Sequence, residues 1–156
     1  TNLLLIIWAL RKKIKSVILL VLGLDISVWV VVQSIKLVRF GGWALRPDGT
    51  QGGFPSGHTT HAFALAFVLT LFFPRFWWLW YTTGALISWS RVESSWHTDL
   101  QVVAGVCFGL TIAWILVTQW LKHEDAKKVD LGSESSRQGD SNPPLLSSLL
   151  NWQAGK

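Results

Sequence analysis

VVAGVCFGLTIAWILVTQWL, residues 102–121, runs for twenty residues without a charged side chain. At about 1.5 Å per residue a helix of this length reaches about 30 Å, the thickness of the hydrocarbon core of a bilayer. The segment stops at Lys122, where a polar stretch rich in Lys, Asp and Glu begins. Toward the N-terminus there are three more apolar blocks, each bounded by charge. Block 16–38 follows the basic cluster Arg11, Lys12, Lys13 and Lys15, and block 57–73 ends at Pro74 and Arg75. The short block 76–90 opens with Trp77, Trp78, Trp80 and Tyr81, rings expected to form a belt at the membrane interface. Leu3 to Leu10 read as the end of a further apolar helix whose beginning is missing, or as the stub left by a cleaved signal peptide. The expected fold is therefore all-α, a multi-span transmembrane helix bundle of four spans plus an N-terminal helix stub.

Composition points the same way. Half of the 156 residues are apolar, with 11 Trp and 8 Phe, and only 15% are charged, more greasy surface than a short soluble domain can hide. The net charge of +5 would suit a nucleic acid, but the basic residues sit at the ends of apolar blocks rather than along one stripe, so no nucleic-acid partner is expected. Cys107 is the single cysteine, so thiols supply neither a disulfide framework nor a zinc site. Residues 1–122 are expected to form a transmembrane domain lacking N-terminal helices, and 123–156 a polar, mostly disordered cytoplasmic tail. Lys and Arg near span ends mark the cytoplasmic side, which puts Arg11 to Lys15, Arg75 and Lys122 to Lys128 inside. Loops 40–56 and 91–100 then share the outer face.

Those two loops and their edges hold Arg39-x6-Arg46-Pro47, Pro55-Ser56-Gly57-His58 and Ser90-Arg91-x5-His97. Three arginines and two histidines thus converge on one face. A phosphoryl group in transfer spreads negative charge over three oxygens, which the planar donor fork of arginine suits well. Ser56 and Gly57 stand where the second apolar helix begins, and unpaired N–H groups at a helix start attract an anion. His58 is placed to donate a proton to a departing alkoxide, and His97 to act as attacking base or nucleophile.

This pattern resembles the phosphatidic acid phosphatase type 2 superfamily, which shares its site with vanadium haloperoxidases and certain bacterial acid phosphatases. The family pattern is Lys-x6-Arg-Pro, Pro-Ser-Gly-His and Ser-Arg-x5-His-x3-Asp. The three motifs cover residues 39–101 here, and the flanking helices extend the resemblance to about 16–121. The resemblance implies a membrane phosphatase that hydrolyses a lipid phosphate or a polyprenyl diphosphate through a phosphohistidine on His97. His58 is implied as the acid for the leaving group, and Arg39, Arg46, Ser56, Gly57 and Arg91 as the phosphate cradle. No metal and no cofactor are implied. The expectation is an integral, multi-pass protein of the plasma (inner) membrane, with its site on the extracytoplasmic face.

Two positions depart from the family. Arg39 replaces a lysine, which keeps charge and reach. Gln101 stands where the family has the aspartate that would orient His97 and stabilise its imidazolium, whereas an amide hydrogen-bonds without neutralising charge. Asp99 and Glu93 are the nearby acids that could substitute. A non-catalytic lipid-phosphate binder that lost its aspartate, and a lipid phosphotransferase, are the rival readings. Asp25, an acid inside the first full apolar block, is expected to play a buried structural role with Ser27 or Gln33 as partner, and His61 to be a packing residue or weak substrate contact.

Overall fold

The computed structural model describes residues 7, 11, 15–38 and 40–140, with only the backbone for 134–140. Among the described residues four helices carry the fold: α1 (Lys15–Leu37), α2 (Gly57–Phe72), α3 (Trp77–Glu93) and α4 (Asp99–Asp140). Among the described residues there is no strand, and two short 3₁₀ turns, Gly42–Ala44 and Pro74–Phe76, complete the regular structure. The all-helical expectation thus holds. The expected stub lies outside the described residues apart from Ile7.

Among the described residues two helices are long and apolar enough to cross a membrane, Lys15–Leu37 and Asp99–Ser133. The other two expected spans are helices of 16 and 17 residues. At the standard rise they are about 24–26 Å long, a little short of the hydrocarbon thickness. Proline sets the break between them. Pro74 has no N–H to offer a continuing α2, so the chain turns through Pro74–Phe76, and Trp80 Nε1 donates to Phe73 O at 3.3 Å across the corner.

The outward faces are apolar, the reverse of a soluble bundle. On α1, Leu19 is 70% and Trp29 65% exposed, while Val17, Leu20, Val21, Leu24, Val28 and Val32 are buried at helical spacing on the opposite side. On α4, Val103, Trp114 and Ile115 face outward, and Ile112, Ala113 and Val117 inward. Such a helix is solvated by lipid on one side and by its neighbours on the other.

The central element is α2. Gly105 and Gly109, one turn apart on α4, let that helix lie directly on it. A Cβ at Gly105 would stand 2.8 Å from Ser56 O and 3.0 Å from Thr59 Cβ, and one at Gly109 would overlap Thr60 O. Small residues at this spacing allow backbones in a membrane to approach closely. On another side Gly84 of α3 receives the ring of Phe63, to which its Cβ position lies 3.4 Å away.

The chain divides into two compact units between Thr118 and Gln119. In the second unit the backbone is helical through Asp140, with a Lys127–Glu124 pair at 3.7 Å one turn apart, and Val129 and Leu131 exposed. Residues 141–156 lie outside the described ones. Everything that follows belongs to the first unit.

Candidate active site

A cavity of about 1120 Å³ lies between α1, α2 and α3. Lys36, Arg46, Gly57, His58, Arg91 and His97 line it together, joining the C-terminal ends of α1 and α3 to the start of α2. Most of the remaining wall is apolar, with Val28, Val32, Leu65, Leu69 and Ile87 among its residues.

The linker from α3 to α4 explains how His97 comes to lie beside Arg91. Ser94 N–H bonds back to Ser90 O, and Ser95 takes a left-handed φ of 54°. The N–H groups of Trp96 and His97 then both reach Arg91 O, at 3.1 and 3.2 Å. The five residues between Arg91 and His97 therefore form a closed turn.

His97 is buried, only 6% exposed. Its Nδ1 lies 2.9 Å from Gly53 O and 3.1 Å from Gln101 Oε1. The amide orientation of Gln101 is fixed by its other partners, since Thr98 N–H donates to Oε1 at 3.2 Å and Nε2 donates to Leu45 O at 2.6 Å. Both partners of Nδ1 are thus acceptors, so Nδ1 carries the hydrogen and Nε2 keeps its lone pair. Burial pushes the His97 imidazole below its ordinary value, and the cations Lys36 and Arg46 push it further. The hydrogen bonds to Gln101 and Gly53 pull partly the other way.

Gln101 also closes the start of α4. Its N–H meets Thr98 Oγ1 at 3.4 Å while its side chain takes Thr98 N–H, the reciprocal arrangement of a capping box. Gln101 N–H and C=O both work, because Gln101 O accepts from Ser56 N–H at 3.0 Å and so holds the start of α2 to the start of α4. Gly53 completes the knot: a Cβ there would stand 2.7 Å from Gln101 Nε2 and 2.8 Å from Ala44 O.

Ser56 is buried at the N-cap position of α2, where its side chain makes no capping hydrogen bond. Its carbonyl accepts from Thr60 N–H and Thr60 Oγ1, each at 2.9 Å, and its Oγ accepts from Thr59 Oγ1 at 3.1 Å. The first N–H groups of α2 have no acceptor in a preceding turn, and they begin at Gly57 on the cavity wall.

Arg46 is held by its backbone in the turn 46–50, where its N–H bonds to Thr50 O at 2.9 Å. Its guanidinium carbon lies 5.4 Å from the ring centre of Trp96, and its Nε is buried without a hydrogen-bond partner. A buried guanidinium donor left unpaired beside a cavity calls for an acceptor. Arg91 Nε donates to Ser90 Oγ at 3.4 Å, and its side chain lines the same space.

The structure brings together Arg46, Gly57, His58, Arg91, His97 and Gln101, with Ser56 directly behind Gly57. Asp99 is exposed at the first residue of α4 and Glu93 is exposed at the end of α3, and neither lines the cavity. Gln101 is the side chain that meets His97. Arg39 lies outside the described residues. Lys36, which no motif singles out, lines the cavity. It had a signal in the sequence: Val28, Val32 and Lys36 are four apart and share the inward stripe of α1.

Asp25 is also on the cavity wall, where its Oδ1 lies 3.2 Å from His61 Nε2. Among the described residues no group of three or more His, Cys, Asp or Glu is placed to hold a metal ion.

A family model described as the PAP2 superfamily matches residues 36–125, more than half of the chain and all of the cavity's basic end. A bacitracin transport permease protein, BcrC of Bacillus licheniformis, is 37% identical over 60 residues, which is 38% of this chain and 30% of that protein. The chain thus spans less than a third of that relative's length. No solved structure matches it.

Proposed function

The chain belongs to the PAP2 superfamily, and from that premise we propose that it is a membrane phosphatase hydrolysing a lipid phosphate or polyprenyl diphosphate through a phosphohistidine. One observation carries the reading. His97 and His58 face the same cavity as Lys36, Arg46 and Arg91, and the buried Nε of Arg46 has no partner of its own.

The chemistry follows from that arrangement. The terminal phosphate enters the basic end, where Arg46, Arg91, Lys36 and the first N–H groups of α2 neutralise its oxygens. Gly53 O and Gln101 Oε1 hold the Nδ1 hydrogen, so His97 presents Nε2 to phosphorus. A nitrogen–phosphorus bond forms as the bond from phosphorus to the lipid oxygen breaks. The electron pair leaves on that oxygen, which takes the proton of the His58 imidazolium. Neutral His58 then takes a proton from water as the water oxygen attacks phosphorus. The nitrogen–phosphorus bond breaks back to His97, and inorganic phosphate departs. The substrate's tail lies along the apolar part of the cavity.

In the same reading residues 1–122 are a transmembrane phosphatase domain in which α2 and α3 cross with α1 and α4, and 123–156 is a cytoplasmic tail. The site opens on the extracytoplasmic face of the plasma membrane. The bilayer is the protein's setting, and no nucleic acid takes part. Arginine and lysine supply the charge, so no metal is needed.

The test is release of inorganic phosphate from a phosphatidate, a polyprenyl phosphate and a polyprenyl diphosphate, in EDTA. The parent protein releases phosphate from at least one of them. His97→Ala lowers that release on the order of 10³-fold or more, the scale at which removing a nucleophile acts. Release that survives His97→Ala, or that EDTA abolishes, would overturn the mechanism.

A further inference from the structure

Asp25 and His61 have no part in the reaction just described, yet both stand on the wall of its cavity. Their neighbours on that wall, Ile26, Trp29, Ala62 and Leu65, are apolar. An ionisable pair set into an apolar wall is costly to leave without water. A hydrocarbon chain pressed against it strips that water and returns nothing. A ligand carrying a hydrogen-bond donor at the same level replaces it.

We propose that Asp25 and His61 form a second polar station in the cavity, one that binds a free hydroxyl of the substrate two or three carbons beyond the phosphate ester oxygen. This rests on the phosphate occupying the basic end, as in the function proposed above. Position sets the spacing. His61 follows His58 by three residues on α2, so it lies about 4.5 Å further into the helix. That is the reach of a short carbon linker from a phosphate held at His58.

Charge and hydrogen-bonding capacity set the chemistry. His61 Nε2 faces Asp25 Oδ1 at 3.2 Å, and a carboxylate accepts several hydrogen bonds at once. The station therefore offers acceptance to an O–H, while the Asp25 charge repels a second phosphate group. The favoured class is a lipid phosphate built on a polyol with an unacylated hydroxyl beside the ester. A phosphate on a plain alkyl or polyprenyl chain is disfavoured.

Binding is read by tryptophan fluorescence, since Trp29, Trp80 and Trp96 line the cavity. The whole chain, in detergent and carrying His97→Ala so that nothing turns over, is titrated with two probes of equal chain length. One is an alkyl phosphate. The other is an alkyl ether of glycerol 3-phosphate with its central hydroxyl free. The glycerol ether is expected to bind about tenfold more tightly, the scale of one hydrogen bond to a charged acceptor. Adding Asp25→Ala removes the difference while alkyl phosphate affinity stays within about twofold, which also shows that the fold is intact. Asp25→Asn, which keeps the shape, loses most of the preference and carries the test if the alanine variant does not fold. Equal affinity for both probes in the parent overturns the proposal. So does a preference that survives Asp25→Asn, or an equal loss for both probes in the variants. Phosphate release by the protein with His97 intact is measured separately, so an inactive protein that still prefers the glycerol ether defeats the catalytic reading and not this one.

Discussion

The face of α2 turned to α4 is closed by backbone contact, whereas its face turned to α1 and α3 opens on a cavity of about 1120 Å³. The closed side is made by Gly105 and Gly109 against Ser56, Thr59 and Thr60. The open side carries His58, His61, Leu65 and Leu69. One helix thus anchors a rigid seam and lines a space sized for a lipid. The seam matters to the site because Gln101 lies in the first turn of α4 and His97 stands two residues before that helix starts. Ser56 N–H to Gln101 O ties those two helix starts together at 3.0 Å. The rigid half holds His97, and the open half faces it with the basic end of the cavity.

The largest effect should come from breaking the seam. Gly109→Val places a branched side chain where even a Cβ overlaps Thr60 O, backbone that has nowhere to move. The expected loss is at least the roughly 1–3 kcal/mol of an overpacked core, read as a lower thermal unfolding midpoint in detergent, with phosphatase activity lost alongside. A variant with parental stability would mean that α4 does not lie on α2 as described.

A smaller effect should come from the open half. Lys36→Ala removes one cation from the cavity's basic end without touching the seam. KM for the phosphate-bearing substrate should rise roughly tenfold with kcat changed less, and Lys36→Arg should recover most of the loss. An unchanged KM would remove Lys36 from the phosphate site and return the role to Arg39.

The two halves were not equally legible in the sequence. The apolar blocks located all four helices, because charge and Pro74 punctuate them, and the three motifs named most of the residues that meet in the cavity. Helix starts were less clear. Hydropathy alone begins the last helix at 102, but Thr98 and Gln101 cap it from Asp99, a Thr-x-x-Gln signal that hydropathy does not register. Gly53 looks like any loop glycine, and only the approach of Gln101, Ala44 and Arg46 in space reveals why a side chain is excluded. The Asp25–His61 pair joins residues 36 apart on different helices, and no local period reports such a pairing. Lys36 is readable from its place on the inward stripe of α1, whereas the motif spacing selects the arginine three residues later.

The subtlest test concerns the contact that joins the halves, Gln101 to His97. In the proposed mechanism the attacking form of His97 is neutral, and burial, with cations nearby, already holds its imidazole below the ordinary value. Its protonation should therefore limit kcat/KM only on an acid limb below about pH 6.5. The sign for stability is the same. The unfolded chain takes up this proton before the folded one does, so stability falls as pH drops from about 6.5 through the folded value, and nothing is lost above. Gln101→Asp would set a carboxylate near Nδ1 and raise the imidazole, moving the acid limb to higher pH by on the order of one unit. The shorter side chain also gives up the Nε2 bond to Leu45 O, so loop 41–53 should loosen even as His97 becomes more basic. A limb that stays where it was would mean that Gly53 O, and not the residue at 101, governs the proton on His97.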